Sequence, residues 1–555
     1  MKALNFFRLI LIFFCIVACG GEEENLPVVD LETTTYEVSF EGGIINVRFY
    51  TNVDYKVSIS NTWVQQFIPN TNPTRALDEY ILHFKVAENT IEEERKATIT
   101  ISDISGKVSK TINIVQAAAK KKTAQMVNGK KFQQLITNLC FVDKITSIYF
   151  VVNDKTTPKS HTFHRVLSTD DSYYPIYATR EGTNIRVFTA GDKFVLSPDC
   201  SGMFQNFFSS VDCGTLDLSN FDTSNVTNMN NMFAHCSTIT SLDLSNFDTS
   251  NVADMSNMFY YCTNLKSLNL SNLNTKNVTD MTSMFDRCTS LTSLNLSSFN
   301  TTNVENMESM FGYCEAITSL NLSNFNTTNT KNMSKMFIFC KSLTSLNLSG
   351  LKNSNVTSMD DMFNSCKSLT SLNLSGFCTP NATNMKRMFI YCESLTSLDL
   401  SSFETSNVTD MSRMFGACKN LSSLNLSSFN TSNVTSMESM FSGCYLLSSL
   451  NLSNFNTCNV TNMALMFNAC WSLTSLDLSK FNTSNTEVMA LMFSYCNKLT
   501  NLNLANFKIK ESTDYSEIFS YLASESKNCI ITIPEDSYQW VKDQLTASYF
   551  TIVHP

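Results

Sequence analysis

Leu242-Asp243-Leu244-Ser245-Asn246-Phe247-Asp248-Thr249-Ser250-Asn251-Val252, followed by Met255, Met258-Phe259 and Cys262, is the stretch that decides the fold, because it returns every 26 residues. The leading Leu recurs at positions 216, 242, 268, 294, 320, 346, 372, 398, 424, 450, 476 and 502. The Cys recurs from 236 to 496 in the same phase, and paired Met positions account for every methionine except Met1, Met126 and Met203. A spacing held without a single-residue slip is structural. In Ser241-Leu242-Asp243-Leu244-Ser245 the two Leu fall on one face of a strand, with Ser, Asp and Ser on the other. Met255, Met258 and Phe259 have the i, i+3, i+4 spacing of one helical face, which predicts a short helical turn covering the far side of the core.

A period of 20–29 residues with Leu-x-Leu spacing predicts a leucine-rich-repeat solenoid, with a parallel sheet on one face and helical turns on the other. At ~4.8 Å between neighbouring strands the rungs make a strip on the order of 50 Å long. Comparing coils sorts the positions. Leu, Phe, Met and Cys barely vary, as a shared core requires. The Asn251 column, running from Asn225 to Asn485, is expected to bond backbone groups of adjacent coils as a buried amide. The Cys column suits buried thiols: no CxxC occurs, zinc needs closely spaced pairs, and a regular ladder does not meet disulfide geometry.

The coil pattern is similar to that of the BspA-type leucine-rich-repeat surface proteins, whose units read Leu-x-Leu-Ser-x-Phe-x-Thr-x-Asn-Val-x-x-Met-x-x-Met-Phe-x-x-Cys-x-x-Leu. Departures are minor: Thr330, Ala382 and Thr486 replace Val, and Asn353 replaces Thr. The resemblance implies an adhesin that binds host matrix proteins or the surface proteins of other bacteria; the repeat by itself shows only a scaffold.

Outward from the repeat, residues 28–117 carry short alternating runs such as Tyr36–Phe40 and Ala97–Ile101, with Gly42-Gly43 and Ser105-Gly106 where strands turn, which predicts a β-sandwich. Gly42-Gly43, Asn52, Tyr55, Val57, Trp63, Asn89, Arg95, Ala97, Ile99 and Val115-Gln116 resemble the BACON domain, for which the family implies carbohydrate or mucin binding or a spacer role. Met1–Ala18 reads as a secretory leader with Lys2 and Arg8 ahead of an apolar Leu9–Val17. It ends in Ile16-Val17-Ala18-Cys19, which resembles a lipobox and makes Cys19 the expected acylation site. The Gly20-Gly21-Glu22-Glu23-Glu24 that follows resembles the surface-export signal of Bacteroidota lipoproteins. The implied address is a lipid anchor in a Gram-negative outer membrane, facing outward. The chain is thus multidomain: leader 1–18, lipidated Cys and acidic tether 19–27, β-sandwich 28–117, linker 118–122, lead-in cap 123–200, repeat array 201–507 and an α+β C-terminal cap 508–555. Met203-Phe204 reads as a degenerate first coil, and Ile518-Phe519 keeps the repeat phase beyond the last full one.

Of the 555 residues 43% are hydrophobic and 16% charged, against a usual charged share of about 25%. The net charge of −9 removes the main electrostatic argument for a nucleic-acid partner. Neither a phosphate loop nor HExxH occurs, and His161 and His164, the one close pair among 5 His, lack further ligands nearby. No enzyme, metal or cofactor is expected. Two surfaces can take a partner. The residues before each Cys vary and carry Tyr260, Tyr261, Arg287, Tyr313, Phe339, Tyr391 and Tyr495, residue types that anchor protein interfaces. The strand face offers Asn269, Asn295, Asn321, Asn347 and Asn373 between Ser residues, a row of small polar groups suited to an extended glycan. Trp63 is a candidate for stacking on a sugar ring, against the simpler reading of a core residue.

Overall fold

Residues 26–68, 79–91, 93–119, 122–139, 145–159, 163–209, 215–545 and 548–555 are described by a computed structural model. The leader, Cys19 and Glu22–Glu24 lie outside the described residues. The chain divides into two units, one up to residue 121 and one from residue 122.

In the first unit, alternation is realised as β1 (Val29–Leu31), β2 (Thr35–Val38), β3 (Gly43–Thr51), β4 (Tyr55–Ile59), β5 (Val64–Phe67), β6 (Glu79–Val86), β7 (Arg95–Asp103) and β8 (Ser109–Gln116). They form two four-stranded sheets, β1-β3-β6-β5 and β2-β8-β7-β4. Val47, Phe49 and Phe84 from one sheet meet Ile99, Ile101, Ile112 and Ile114 from the other, all fully buried in one core. Gly42, at φ +80°, turns the chain where a Cβ would stand 2.3 Å from the Val86 carbonyl oxygen.

The second unit opens with the helix Gly129–Thr137, capped by the Asn128 side chain on the Lys131 amide at 2.9 Å. Beside it lies a mixed sheet of Ser147–Val151, Asn184–Thr189, Ile176–Glu181 and His164–Val166. These share a core with the coils that follow. Phe204 stacks on Phe233 at 5.4 Å, so Met203-Phe204 does form the first layer of the stack.

The coils place Leu, Phe, Val, Met, Met, Phe and Cys inward, with Leu273 and Leu351 standing for the first Phe and Thr330, Ala382 and Thr486 for Val, all buried as well. The Phe of the Met-Phe pair stacks from Phe233 to Phe519 with neighbouring ring centroids 5.4–5.9 Å apart and planes within 12°. Trp540, on the helix Tyr538–Gln544, closes that column over Phe519 at 6.0 Å. Cys529–Thr532 and Phe550–Val553 add two parallel strands to the last rung, so the exposed end of the array is covered.

Two expectations are corrected. The Met segment is a stack of turns, not a helical turn: Met255, Asn257, Phe259 and Tyr261 donate their N–H to Asp280, Thr282, Met284 and Asp286 of the next coil at 2.7–3.1 Å. Asn257 and Tyr261 consequently take φ of +56° and +64°. The i, i+3, i+4 spacing brought the same side chains inward, but inter-coil bonding replaced the helical ladder. Nor is the Leu-x-Leu face one continuous sheet. Its three-residue strands pair in separate groups, such as Ser241–Asp243 with Ser267–Asn269 and Ser345–Asn347 with Ser371–Asn373. Where neighbouring rungs part, a leading Leu (Leu268, Leu294, Leu372, Leu424 or Leu450) is only partly buried. The ladder that runs unbroken through the coils is on the Met side, from Asp199↔Asn228 to Val488↔Asp514.

Candidate binding surface

The left-handed position before each Cys of the repeat, and before Leu522 in the corresponding place, builds the most distinctive surface. His235, Tyr261, Arg287, Tyr313, Phe339, Ser365, Tyr391, Ala417, Tyr495 and Tyr521 all have φ between +53° and +64°. Such a conformation costs a side-chain-bearing residue roughly 1–2 kcal/mol. The N–H it turns sideways bonds the next coil, as in Tyr261 to Asp286 at 2.9 Å and Arg287 to Gly312 at 2.8 Å. The side chains therefore stack one per coil. His235 lies on Tyr261 at 5.1 Å, the Arg287 guanidinium is 5.1 Å from the Tyr261 ring and 4.0 Å from Tyr313, and Tyr313 lies 4.7 Å from Phe339 within 5° of parallel. Tyr260 meets the edge of this column against His235 and Tyr261.

Tyr260, Tyr261, Arg287, Tyr313 and Phe339 are thus brought together. Tyr391 stands apart from them beyond Ser365 and is 45% exposed. Tyr495 pairs instead with Tyr521 at 4.5 Å, beyond Ala417, Gly443 and Ala469. His235 and Tyr521 belong to the same column and were missed, although their 26-residue phase marks them.

A groove of about 500 Å³ runs beside the column. Ser309, Lys335, Asp361, Arg387 and Arg413 line one side; they share another left-handed repeat position. Asp286, Ile338, Asn364 and Ile390 lie along the groove, with Arg287, Tyr313 and Tyr391 opposite. Gly312 keeps it open, since a Cβ there would stand 3.0 Å from Asp286 Oδ1. Most charges are paired: Lys335 with Glu308 at 3.0 Å, Arg387 in a fork on Asp361, and Arg413 with Glu438 at 2.7 Å. Asp286 forms no such ion pair: its Oδ1 is buried without a partner, and burial, only partly offset by the charge and backbone N–H of Arg287, pushes its carboxyl up to about 7. A second groove, of about 580 Å³, lies where Tyr445 and Trp471 stack at 3.9 Å near the exposed Leu446. Both aromatics directly follow a Cys of the repeat, one place beyond the edge residues that the sequence singles out.

The Asn strip is in part scaffold. Asn269, Asn295, Asn321, Asn347 and Asn373 each accept the N–H two residues on at 3.1–3.2 Å, an Asx turn that ends the rung. Asn269 also donates to Asp243 at 3.0 Å, whereas among the described residues the amide groups of the other four donate no hydrogen bond. Trp63 is half-buried against the sandwich core, with the Arg95 guanidinium 4.3 Å from its ring centroid. Arg95 in turn bonds Gln116 and the carbonyls of Ala87 and Glu88, and the buried Asn89 bonds those of Glu93 and Ala117. The residues that carry the resemblance here thus form a structural clamp, and one face of Trp63 is taken by it.

The Asn251 column bonds as expected from Asn251 to Asn485, each Nδ2 reaching a carbonyl of the preceding coil, for example Asn251 to Ser224 at 2.8 Å and Asn303 to Lys276 at 2.8 Å. It is exposed, however, and not a buried amide. The buried polar ladder is the Thr column. Thr301 is fully buried; its hydroxyl accepts the Asn326 N–H at 2.7 Å and donates to the Asn326 carbonyl at 2.9 Å. The Cys of the repeat column, from Cys236 to Cys496, are free buried thiols, each with Sγ near a Phe carbonyl of the previous coil, as for Cys262 and Phe233 at 3.2 Å, whereas Cys378 is exposed and Cys458 half-buried. Burial pushes the Cys262 thiol up to about 12. Among the described residues no group of three or more His, Cys, Asp or Glu could hold a metal ion, and no helix is long and apolar enough to cross a membrane.

Comparison with known families agrees with this division. The family described as "Mycoplasma protein of unknown function, DUF285" matches at 199–320, 264–372, 314–424, 339–447 and 409–531, together more than half of the chain. The chain belongs to this family. Residues 54–117 match the BACON family, described as "Putative binding domain, N-terminal". A solved structure, "Bacteroides ovatus GH5 xyloglucanase in complex with a XXXG heptasaccharide", is 18% identical over 26% of this chain and 29% of that chain, with a TM-score of 0.14. The match therefore spans under a third of that enzyme's length. No curated protein matches the chain.

Proposed function

We propose that this chain is a non-enzymatic surface lipoprotein, acylated at Cys19 and held at the outer face of a Gram-negative outer membrane, whose repeat array is an adhesin for host matrix or bacterial surface proteins. The array is read as a leucine-rich-repeat solenoid of the BspA type. One observation carries the reading: the aromatic and cationic side chains from His235 to Phe339 form a pre-stacked column on a rigid turn ladder. Side chains already held in place lose little freedom on binding, and Tyr and Arg are the usual anchors of protein interfaces. Replacing both Tyr260 and Tyr261 with Ser should weaken binding to immobilised matrix proteins at least tenfold, with the array's far-UV circular dichroism unchanged. Unaltered affinity in that folded variant removes this edge from the reading.

A second reading has its own support. The unengaged amide donors of Asn295, Asn321, Asn347 and Asn373 stand on successive rungs, a spacing that favours a repetitive glycan such as a mucin chain, with the BACON unit as a further sugar contact. Mucin-glycan binding by the full chain that survives the Tyr260/Tyr261 double replacement supports it.

A further inference from the structure

Arg287 is the one cation in the stacked column, and its surroundings are unlike those of the other groove cations. Lys335, Arg387 and Arg413 each form an ion pair with a carboxylate of the array. Arg287 is held between the rings of Tyr261 and Tyr313, its Nε is buried without a partner, and among the described residues its guanidinium donates no hydrogen bond, the neighbouring Asp286 carboxyl being felt only through its charge. Asp286 beside it, 8% exposed and lining the groove, also has a buried oxygen without a partner. A guanidinium between two aromatic faces has only its in-plane N–H groups left, and these form a rigid fork. Carboxylates match that fork in two parallel bonds. The ring faces also keep water from the flat sides of the cation, which strengthens the pairing.

We infer that Arg287, clamped by Tyr261 and Tyr313, is the anchor of the array's partner site and takes an Asp or Glu carboxylate from an acidic segment of the partner protein. The inference rests on the reading of this edge as a protein-binding surface. Charge complementarity selects the occupant. The groove continues from Arg287 past Lys335 to Arg387 and Arg413, whose paired charges can still orient further acidic side chains, while Ile338 and Ile390 offer apolar contact between them. Asp286 is the opposing group: once it ionises above about pH 7 its negative charge works against an anionic visitor, so at pH 8, where the binding is measured, its removal favours binding.

The test uses the full chain and a fluorescent Glu-rich peptide, read by anisotropy at low salt, with hyaluronan as a carboxylate-bearing glycan in a parallel arm. The wild type should bind the peptide saturably. Arg287→Gln should weaken it roughly tenfold or more, in keeping with loss of a bidentate charge-assisted pair. Arg287→Lys should fail to restore it, because an ammonium has no planar fork, and Asp286→Asn should tighten it severalfold. Equal thermal midpoints for the variants show that the array remains folded. Peptide binding unchanged in Arg287→Gln overturns the anchor, as does full recovery in Arg287→Lys. Arg287-dependent binding of hyaluronan without the peptide overturns the protein occupant in favour of a glycan. Matrix-protein binding by the same variants separates the two readings: loss in Tyr260/Tyr261 replacements with none in Arg287→Gln sinks only the anchor, and loss in neither sinks the edge itself.

Discussion

Asp286 occupies a position that holds Gly312, Ile338, Asn364, Ile390 and Gly416 in the coils that follow. A carboxyl there is buried, and burial raises its pKa to about 7 from an unfolded value of about 3.9. The folded chain thus keeps a proton that the unfolded chain releases between those values. Stability contributed by this group is full below pH ~4 and is lost as pH rises to about 7, the opposite of a carboxylate held by donors such as Asp243. Asp286→Asn should therefore flatten this part of the profile: in urea titrations at pH 4.5 and pH 8, the variant's advantage over the wild type should grow with pH. A constant difference across that range would mean the carboxyl is not buried in solution. Nothing in a single coil's sequence announced this residue. It became visible through its neighbours in the next coil, above all the missing side chain at Gly312.

Within the coil, two polar columns look equivalent in sequence and are not. Thr301 and Asn303 both recur in nearly every repeat, so coil comparison marks both as scaffold. Only the structure shows that the Thr hydroxyl, itself buried, bonds two backbone groups of the next coil while the Asn amide bonds one carbonyl at the surface. Thr301→Val keeps the shape but leaves the Asn326 N–H and C=O facing a methyl group in place of their buried hydroxyl partner, an expected loss of roughly 1–3 kcal/mol. Asn303→Ala should cost about 0.5–1.5 kcal/mol, since water can replace its bond. Chemical denaturation of both variants checks the order, and equal losses would contradict the burial assignment. Asn353, which stands in the Thr column, fits the same account: its Oδ1 accepts from Thr327 at 2.9 Å, but its Nδ2 is buried without a partner.

Across the whole molecule the array behaves as a linear stack, since each coil bonds mainly to those before and after it. Removing one full period, 424–449, should leave the Phe, Met and Cys columns in register and give a folded array of slightly lower thermal midpoint. Removing 424–436 should bring Met-side residues onto Leu-side ones and abolish cooperative unfolding. Circular dichroism melts of the two deletions decide the matter, and equivalent melts would argue against a shared core along the stack. The sequence by itself determined the period, the inward columns, the free thiols, the two caps and the edge on which Tyr261 and Tyr313 lie, because a strict repeat makes every coil report on the same environment. The tertiary structure decided that the Met segment is a turn ladder, that Thr301 and not Asn303 is the buried link, that Arg95 takes one face of Trp63, and that Arg287 Nε and Asp286 Oδ1 are buried without hydrogen-bond partners. The physical reason is the direction of hydrogen bonds. Hydrophobic burial follows periodicity and can be read along the chain, whereas each donor's partner lies one coil away, at an angle set by left-handed residues that no composition or spacing reveals.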